Sequence, residues 1–336
     1  MASASGESIE KLEDMIVRAA ETTAAHVRSA KDAIGTVIFG QETVVEHALV
    51  TVLSGGHALL VGVPGLAKTK LVETMGIALG LDARRVQFTP DLMPSDILGS
   101  EVLEENTAGK RSFRFIPGPV FAQLLMADEI NRASPRTQSA LLQAMQEQHV
   151  TVAGARHDLP KPFHVLATQN PLEQEGTYPL PEAQLDRFLM EIDVDYPDLE
   201  AERKILFDTT GAEDSHAKAA MTADDLIAAQ RLVRRLPVGE SVVEAILQLV
   251  RSARPGEEAG EVSRLISWGP GPRASQALML AVRARALLDN RFAPSIDDVL
   301  ELAEPVLKHR MALTFAARAE GETVGNVIKR LKARIG

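Results

Sequence analysis

The sequence predicts an α/β protein in which a parallel sheet with helices on both faces precedes a smaller, all-helical domain. Short apolar segments alternate with helical patterns up to about residue 196, which is typical of a parallel sheet covered on both faces. A loop that fits a phosphate-binding pattern separates the first strand from a helix. From residue 198 onward the apolar periods are helical, and we find no convincing strand.

The individual elements follow from hydrophobic periodicity. Apolar residues recur at spacings of three or four from Ile9 to Ile34, which predicts an amphipathic helix packed on the rest of the chain. The predicted strands are 57–61, 85–89, 123–127, 163–168 and 188–194, and the predicted helices among them are 42–54, 68–80, 135–148 and 181–187. The predicted helices of the second domain are 198–208, 222–235, 240–252, 272–288, 295–309 and 320–334. A long Pro- and Gly-rich connection, about 90–122, predicts inserted or functional structure between the second and third strands.

Composition narrows the class of protein. With 336 residues, of which 45% are hydrophobic, the chain has room for two domains and a substantial core. It has no cysteine, which excludes disulfides, thiolate metal sites and cysteine nucleophiles. The formal net charge of −10 argues mildly against a nucleic-acid partner, although a local basic face stays open. Because we find no signal region and no run of about 20 apolar residues, we expect a soluble, cytoplasmic protein.

The stretch "LLVGVPGLAKTKLVETM" carries the phosphate-binding pattern G-x-x-x-x-G-K-[ST] at all positions but one. In such a loop, backbone N–H groups and the N-terminus of the following helix point at an anion. We expect Lys68 to contact the β- and γ-phosphates and the Thr69 hydroxyl to bind Mg²⁺. The alternative is a strand–turn–helix corner that happens to contain Lys-Thr, but the loop glycines and the flanking elements argue against it.

Ala67 is the departure from this pattern, because it stands where the second glycine belongs. If φ is negative at this position, where the helix begins, a methyl group is sterically tolerable. An Ala67→Gly substitution would then add backbone freedom at a helix start and cost up to about 1 kcal/mol of stability.

Two acidic residues end the apolar strand in "QLLMADEINRA". Asp128 is suited to hold Mg²⁺ through its water shell, and Glu129 is suited to orient or deprotonate the attacking water. In isolation the pair could be an acidic cap of the next helix. Together with the phosphate loop, it indicates phosphoryl-transfer chemistry.

Three further polar residues complete the candidate site. Asn170 follows the strand in "FHVLATQNP" and could position water without adding charge, although Gln-Asn-Pro alone is typical of a turn. Arg187 in "LPEAQLDRF" and Arg273 in "SWGPGPRASQAL" carry guanidinium groups, which stabilise charge on transferring phosphoryl oxygens. A lone surface arginine is usually only solvated, so both depend on the rest of the set.

This ordered set, spread over roughly residues 35–290, resembles the AAA+ ATPases and specifically the MoxR family. The matching strings are "IFGQ", "GVPGLAKT", "RVQFTPDLMPSDILG", "MADEINRASPRTQSALLQAMQE", "ATQNP", "GTYPLPEAQLDRF" and "GPRASQAL". The resemblance implies a five-stranded parallel sheet and a helical lid, with nucleotide between lid and core. It divides the chain into an N-terminal helix (1–34), a core (35–197, with a helix-2 insertion at about 90–118 and a pre-sensor hairpin at about 148–162) and a lid (198–336).

The resemblance also assigns roles by position. Asn170 corresponds to sensor 1, Arg187 to the arginine finger that one subunit offers to the next, and Arg273 to sensor 2, so that the implied catalytic set is Glu129, Lys68, Asn170, Arg187 and Arg273. The implied nucleotide-binding residues are Val37, Ile38, Gly40, Gln41, Gly62, Val63, Pro64, Gly65, Leu66, Ala67, Lys68, Thr69, Lys70 and Arg273, and the implied magnesium-binding residues are Thr69 and Asp128. Arg132 and Arg136 also match and could reach a neighbouring subunit; alternatively, they cap a helix or face solvent.

The implied function is Mg²⁺-dependent ATP hydrolysis by a ring, expected to be a homohexamer, that remodels or matures a protein client alongside a partner with a von Willebrand A domain. A nucleic-acid motor or loader is a second hypothesis, disfavoured by the net charge and by the lack of an appended DNA-binding domain. A metal-chelatase motor subunit is a third, since its core has the same insertions. A GTPase is disfavoured because no [NT]-K-x-D string occurs, and a small-molecule kinase would not explain a helical lid that carries Arg273.

Overall fold

The structure, a computed structural model, describes residues 2–105, 111–172, 176–211 and 216–335, with side chains from residue 18 onward except for 257–259 and 261. Small parts of the predicted N-terminal helix, helix-2 insertion and lid therefore lie outside the described residues. The helices are α1 Ala2–Gly35, α2 Glu42–Leu53, α3 Lys68–Ala78, α4 Pro94–Leu98, α5 Pro135–Glu147, α6 Glu182–Leu185, α7 Leu199–Thr210, α8 Ala223–Arg235, α9 Glu240–Ser252, α10 Pro272–Leu288, α11 Ile296–Leu307, α12 Phe315–Ala319 and α13 Val324–Lys332. The strands are β1 Ala58–Val61, β2 Ala83–Gln87, β3 Gly99–Glu105, β4 Arg111–Pro117, β5 Leu124–Asp128, β6 His149–Val152, β7 Ala155–Asp158, β8 His164–Gln169, β9 Met190–Asp193, β10 Ile266–Trp268 and β11 Ala312–Leu313.

A five-stranded sheet in the order β2-β5-β8-β1-β9 forms the centre of the molecule. All pairings in it are parallel, with Ala58 beside Leu166 and Met190 at the start of β1. The carboxyl ends of the strands therefore lie at one edge and their amino ends at the opposite edge. This confirms the predicted parallel sheet.

The two faces of the sheet belong to two separate hydrophobic clusters. Leu60 and Met126 point into the cluster that contains α1, α2, α3 and the lid helices. Their neighbours Leu59 and Leu125 point into the opposite cluster, which contains α5. Because side chains alternate along a strand, strands that are apolar on both sides need a cover on both faces. That requirement explains why the predicted strands read as uninterrupted apolar runs.

The C-terminal helices pack on the core through polar links as well as apolar contacts. Arg285 of α10 donates to Glu46 of α2 at 3.0 Å, and Gln230 of α8 donates to the Val52 carbonyl at 2.9 Å. The N-terminal helix α1 contacts α2 and α3 of the core and also α8 and α10. It therefore bridges the two parts of the chain instead of packing on the core alone.

Two β-hairpins project from the core. The hairpin β3–β4 interrupts the long connection after β2, and β6–β7 lies between α5 and β8. The rings of Phe115 and His157 stack at 3.8 Å, which joins the two hairpins. The long connection predicted at 90–122 thus contains structure of its own.

The expectation that no strand occurs after residue 198 needs one correction. Strands β10 and β11 form a small antiparallel pair within the helical part. Each has only two or three residues, too few to show a periodicity in the sequence. Within the described ranges, no helix combines the length and the apolar character needed to cross a bilayer.

Candidate functional site

A polar cavity of about 400 Å³ lies at the carboxyl edge of the sheet. The loop after β1, the end of β5 and the end of β8 meet there, since these three strands are neighbours in the sheet. The lining residues are Pro64, Gly65, Leu66, Ala67, Lys68, Thr69, Lys70, Asp128, Glu129, Thr168 and Asn170. The predicted phosphate loop, acidic pair and Asn170 are therefore brought together, as expected. We refer to this cavity as the phosphate cavity.

An apolar cavity of about 400 Å³ adjoins the phosphate cavity and shares Gly65, Leu66, Ala67 and Lys70 with it. Its other lining residues are Val37, Ile38, Phe39, Gln41, Pro197, Ile205, Asp208 and Thr209. The "IFGQ" segment is thus placed where it can flank a base. The contribution of α7 was not predicted, because its surface position gives no signal that distinguishes it from an ordinary amphipathic helix.

One hydrogen bond and one close approach of the backbone place the "IFGQ" segment against the chain that follows β9. Gln41 Nε2 donates to the Asp195 carbonyl at 2.7 Å. Gly40 has a φ of 67°, and a Cβ at this position would collide with Ala201. A glycine is needed here on both grounds.

Lys68 lies in the phosphate cavity with its ammonium group bound by its own loop. Its Nζ donates to the carbonyl oxygens of Gly62 and of Val63, the latter at 3.0 Å. Burial lowers the pKa of Lys68, and the carboxylates of Asp128 and Glu129 oppose that shift. The side chain therefore stands near both acids and can exchange its carbonyl partners for a stronger acceptor.

The backbone of the loop corrects one expectation. Ala67 has a φ of 55° and a ψ of 19°, in the left-handed region, and it precedes the first helical residue instead of belonging to the helix. The negative φ considered from the sequence is wrong, because the turn from loop to helix reverses here. A left-handed alanine costs roughly 1–2 kcal/mol more than a glycine, so with this backbone we expect Ala67→Gly to stabilise the protein instead.

Asp128 is buried at the end of β5, and both of its carboxylate oxygens are engaged. The Thr168 hydroxyl donates to Oδ1 at 2.6 Å and accepts from the Glu129 N–H at 2.8 Å. Arg85 of β2 donates to Oδ2 from Nη2 at 2.6 Å and from Nε at 3.1 Å. Neither Thr168 nor Arg85 was predicted.

Glu129 also has a left-handed backbone, with a φ of 54°, and its carboxylate is held by two donors. Gln87 Nε2 and Arg132 Nη1 donate to Oε2 at 2.6 Å and 3.0 Å. Arg85 donates to the Gln87 amide oxygen at 2.7 Å. Arg85 and Gln87 are two residues apart on β2, so their side chains lie on the same side of the strand. This spacing can be seen in "RVQF", but it indicates a role at the site only once β2 is known to pair with β5.

Asn170 lines the phosphate cavity from the end of β8, and its Oδ1 accepts from the Leu172 N–H at 3.1 Å. Of the two arginines with open roles, Arg132 makes the intrachain pair with Glu129, whereas Arg136 is exposed on α5.

Arg187 and Arg273 lie in a different cavity, of about 250 Å³, which we call the arginine cavity. Its lining includes Gly55, Gly56 and His57, which precede β1, and Arg187 itself precedes β9. The cavity is therefore at the amino edge of the sheet. The resemblance implied that Arg273 lies beside the nucleotide of its own chain, and the structure contradicts this placement. The start of α10 lies at the amino edge instead, where Arg273 Nη1 is 3.6 Å from Asp186 Oδ2.

Arg310 fixes the segment that carries Arg187. It is 2% exposed and donates to Asp186 Oδ1 at 2.7 Å and to the carbonyls of Phe188 (2.6 Å) and Leu189 (3.2 Å). Burial lowers the pKa of Arg310, and Asp186 opposes the shift. Sequence reasoning missed this residue, since "KHRMAL" matches no motif.

The residues present fit a magnesium nucleotide. The apolar cavity suits a base, and the adjoining polar cavity suits a phosphate chain. Gly65 has a φ of 86°, and among the described residues other than its two chain neighbours no atom lies within 4 Å of the position that a Cβ would take there, which leaves space beside the loop. Among the described residues no group of three or more acidic or histidine side chains forms a metal cage. A lone carboxylate with a threonine hydroxyl is what Mg²⁺ needs when water and phosphate oxygens supply its other ligands.

Comparison with known proteins identifies relatives over most of the chain. The family described as "ATPase family associated with various cellular activities (AAA)" matches residues 57–190, and "AAA lid domain" matches residues 258–331. The chain is 43% identical to "Chaperone MoxR1" of Mycobacterium tuberculosis over 93% of this chain and 83% of that protein. It is 32% identical to "Protein MoxR" of Paracoccus denitrificans over 89% of this chain and 92% of that one.

A solved structure has the same fold over nearly the whole length. The crystal structure described as "a putative ATPase" from Cytophaga hutchinsonii superposes with a TM-score of 0.88 at 37% identity, covering 95% of this chain and 96% of the other. The sheet, the phosphate cavity, the helical C-terminal part and these relatives lead to one assignment: the chain belongs to the MoxR family of AAA+ ATPases.

Proposed function

We propose that this protein hydrolyses ATP with Mg²⁺ and works as a ring that remodels or matures a protein client in the cytoplasm. The observation that carries the proposal is the convergence of Lys68, Asp128, Glu129 and Asn170 on one cavity beside an apolar pocket. We also propose that the core and lid meet near residue 197, so that α7 closes the base pocket from the lid side.

Within the phosphate cavity, each side chain has a separate role in the proposed hydrolysis. Mg²⁺, when bound, supplies charge that neutralises the phosphate oxygens, and Asp128 and Thr69 would hold it. Lys68 leaves the Gly62 and Val63 carbonyls to contact phosphate. Glu129 takes a proton from the attacking water, and Asn170 orients that water without adding charge.

Subunits arranged head to tail would complete the site. The arginine cavity is lined by Arg187, Arg234, Arg273 and Arg310 with Asp186 as the carboxylate among its described residues. A cavity with this excess of positive charge attracts an anion. Because it lies at the sheet edge opposite to the phosphate cavity, the anion is proposed to be the γ-phosphate of a neighbouring subunit. A closed ring, proposed to be a hexamer, gives every subunit such a neighbour.

The β3–β4 hairpin supports a protein client over nucleic acid. Phe113 and Leu103 are opposite each other in the register and are 69% and 50% exposed. Arg111 and Arg114 are each paired with a glutamate of β3. The described strands of the hairpin therefore offer apolar side chains beside paired charges, which suits a polypeptide. A partner with a von Willebrand A domain remains part of the proposal on the family resemblance alone.

Two variants test the hydrolysis. Lys68→Ala removes a phosphate contact and should weaken ATP binding together with turnover. Glu129→Gln keeps the shape but removes the base, so it should retain ATP binding while kcat falls by 10² or more. Binding is measured by equilibrium titration and turnover by phosphate release, with and without DNA or RNA. A Glu129→Gln protein that hydrolyses ATP at the parental rate would remove Glu129 from its role.

A further inference from the structure

A basic side chain from β2 lies on the same carboxylate that is assigned to Mg²⁺. Arg85 contacts Asp128 Oδ2 with two nitrogens, at 2.6 Å and 3.1 Å. Thr168 occupies Oδ1 at 2.6 Å. Both carboxylate oxygens thus have partners within the chain, and the positively charged guanidinium of Arg85 lies at ion-pair distance from Oδ2.

We propose that Arg85 competes with Mg²⁺ for Asp128, so that the metal is admitted when the guanidinium leaves Oδ2. A metal-bound water would need the same lone pairs that Nη2 and Nε now use. A guanidinium and a divalent cation at the same oxygen also repel each other. This inference rests on the proposed nucleotide function of the cavity.

The surroundings allow the exchange. The Asp128 side chain is 12% exposed, whereas that of Arg85 is 48% exposed. The arginine can therefore move into solvent, while the carboxylate stays fixed by Thr168. A partly exposed ion pair of this kind has a small net free energy, so binding of a metal with its phosphates can displace it.

Arg85 is also linked to Glu129, through the side-chain amide of Gln87. Arg85 donates to the Gln87 oxygen at 2.7 Å, which turns the Gln87 NH₂ group towards Glu129 Oε2, 2.6 Å away. When Arg85 moves out, Gln87 loses the donor that fixes its orientation. Metal admission would then also loosen one of the two contacts that hold Glu129, while Arg132 still donates to Oε2.

The adjacent arginine provides a matched control. Arg84 lies on the same strand and is 47% exposed, but it pairs with Asp82 at 3.4 Å. Substitution of Arg84 removes the same charge one residue away and leaves Asp128 untouched. A comparison of the two positions separates direct competition from a general change in charge.

The experiment measures binding without hydrolysis. Mg²⁺ is titrated against a fluorescent, non-hydrolysable ATP analogue, and the Mg²⁺ concentration for half-maximal binding is compared among variants. Arg85→Met should lower it by about threefold to fivefold, the upper range for the loss of a partly exposed ion pair. Arg85→Lys, which keeps the charge but not the two-nitrogen contact, should lower it less. Arg84→Met should stay within about twofold of the parent.

An unchanged or higher half-point in folded Arg85→Met would overturn the proposal, and melting temperatures show whether the variant is folded. Where it is not, Arg85→Lys decides: a fall of twofold or more supports competition, and no fall overturns it. If the parental protein fails to bind the analogue at any Mg²⁺ concentration, the proposed function itself is wrong. If the parent binds in a Mg²⁺-dependent way and the variants do not differ, only this inference is wrong.

Discussion

The two edges of the parallel sheet use arginine in opposite ways. At the carboxyl edge, Arg85 and Arg132 are partly exposed and each neutralises one acid of the phosphate cavity. At the amino edge, Arg310 is 2% exposed and is bound by Asp186 and by main-chain carbonyls. The first edge has pairs that solvent and ligands can replace. The second has a fixed scaffold that presents Arg187 and Arg273.

This difference indicates which edge would rearrange during the proposed cycle of ATP binding and hydrolysis. Partly exposed ion pairs contribute roughly 0–1 kcal/mol, whereas the loss of one partner of a buried pair costs about 3–5 kcal/mol. Exchange of partners is therefore easy beside Asp128 and difficult beside Asp186. A chain of this fold cannot bring Arg187 to its own phosphate cavity without crossing the sheet, which is why we propose a second subunit as the recipient.

The largest expected effect concerns that recipient. Arg187→Ala should fold and bind ATP but lose about 10³ or more of the hydrolysis rate, by analogy with arginines supplied in trans. Lys68→Ala subunits keep Arg187, and Arg187→Ala subunits keep the phosphate cavity. Co-assembled mixtures should therefore regain activity that neither has alone, as measured by phosphate release.

An Arg231→Ala variant, which changes an exposed residue of α8, serves as the control and should behave like the parent. Mixtures that co-assemble and yet remain as inactive as each mutant alone would show that Arg187 acts within its own chain. In that case its loss would mainly reduce stability, and the contrast between the two edges would have no bearing on catalysis.

The second prediction tests the fixed character of the amino edge. Arg310→Met should lower the free energy of unfolding by about 3–5 kcal/mol, because Asp186 and the carbonyls of Phe188 and Leu189 lose a buried donor. Arg111→Met breaks an ion pair with Glu105 in which the two side chains are 70% and 53% exposed. This substitution should cost at most about 1 kcal/mol. Denaturant unfolding measures both. Equal losses would mean that the buried cluster contributes no more than a surface pair.

The third prediction concerns two neutral histidines at the amino edge. Burial lowers the pKa of His57 to about 3 and that of His164 to about 4. The unfolded chain binds these protons near pH 6.5 and the folded chain does not. Their contribution to stability is thus present above about pH 6.5 and is lost as pH falls towards 4.

Between pH 7 and pH 5, each histidine should account for about 1–2 kcal/mol of the loss. In His57→Asn, the Asn oxygen can accept the Val165 N–H that His57 Nδ1 accepts at 2.9 Å, so its stability should fall less over this interval. The exposed His216, changed to Asn, should leave the slope as it is. Parallel pH profiles of the unfolding free energy for all three proteins would contradict the prediction.

The sequence predicted those features of the fold and of the candidate site that depend on residues close together in the chain. It did not predict those that depend on contacts between different strands. The five strands of the parallel sheet, the phosphate loop and the Asp128–Glu129 pair were predicted because each is defined by neighbours in sequence. Arg85 and Gln87 were missed because their meaning comes from β5, some forty residues along the chain.

The amino edge was harder to predict for the same reason. Arg187 was identified by its string, but its cavity is completed by Arg273 and Arg310, from two different parts of the helical region. The position of Arg273 relative to the sheet depends on how the lid packs on the core, and periodicity within one helix does not contain that information. The backbone conformation of Ala67 could not be predicted either, because its position in the motif does not show whether φ is positive or negative.

The smallest expected effect concerns that turn. At a φ of 55°, Ala67→Gly should relieve a left-handed strain of roughly 1–2 kcal/mol, offset by the greater freedom of glycine in the unfolded chain, about 0.4–1 kcal/mol. The net result is a gain of up to about 1.5 kcal/mol, with ATP affinity little changed. Ala228→Gly, at an exposed position inside α8, should instead cost about 0.5–1 kcal/mol. Unfolding free energies of opposite sign support the left-handed turn, because the same chemical change then acts on two different backbone conformations. A loss at both positions would mean that residue 67 is helical in solution and that the loop of the phosphate cavity is more regular than the structure shows.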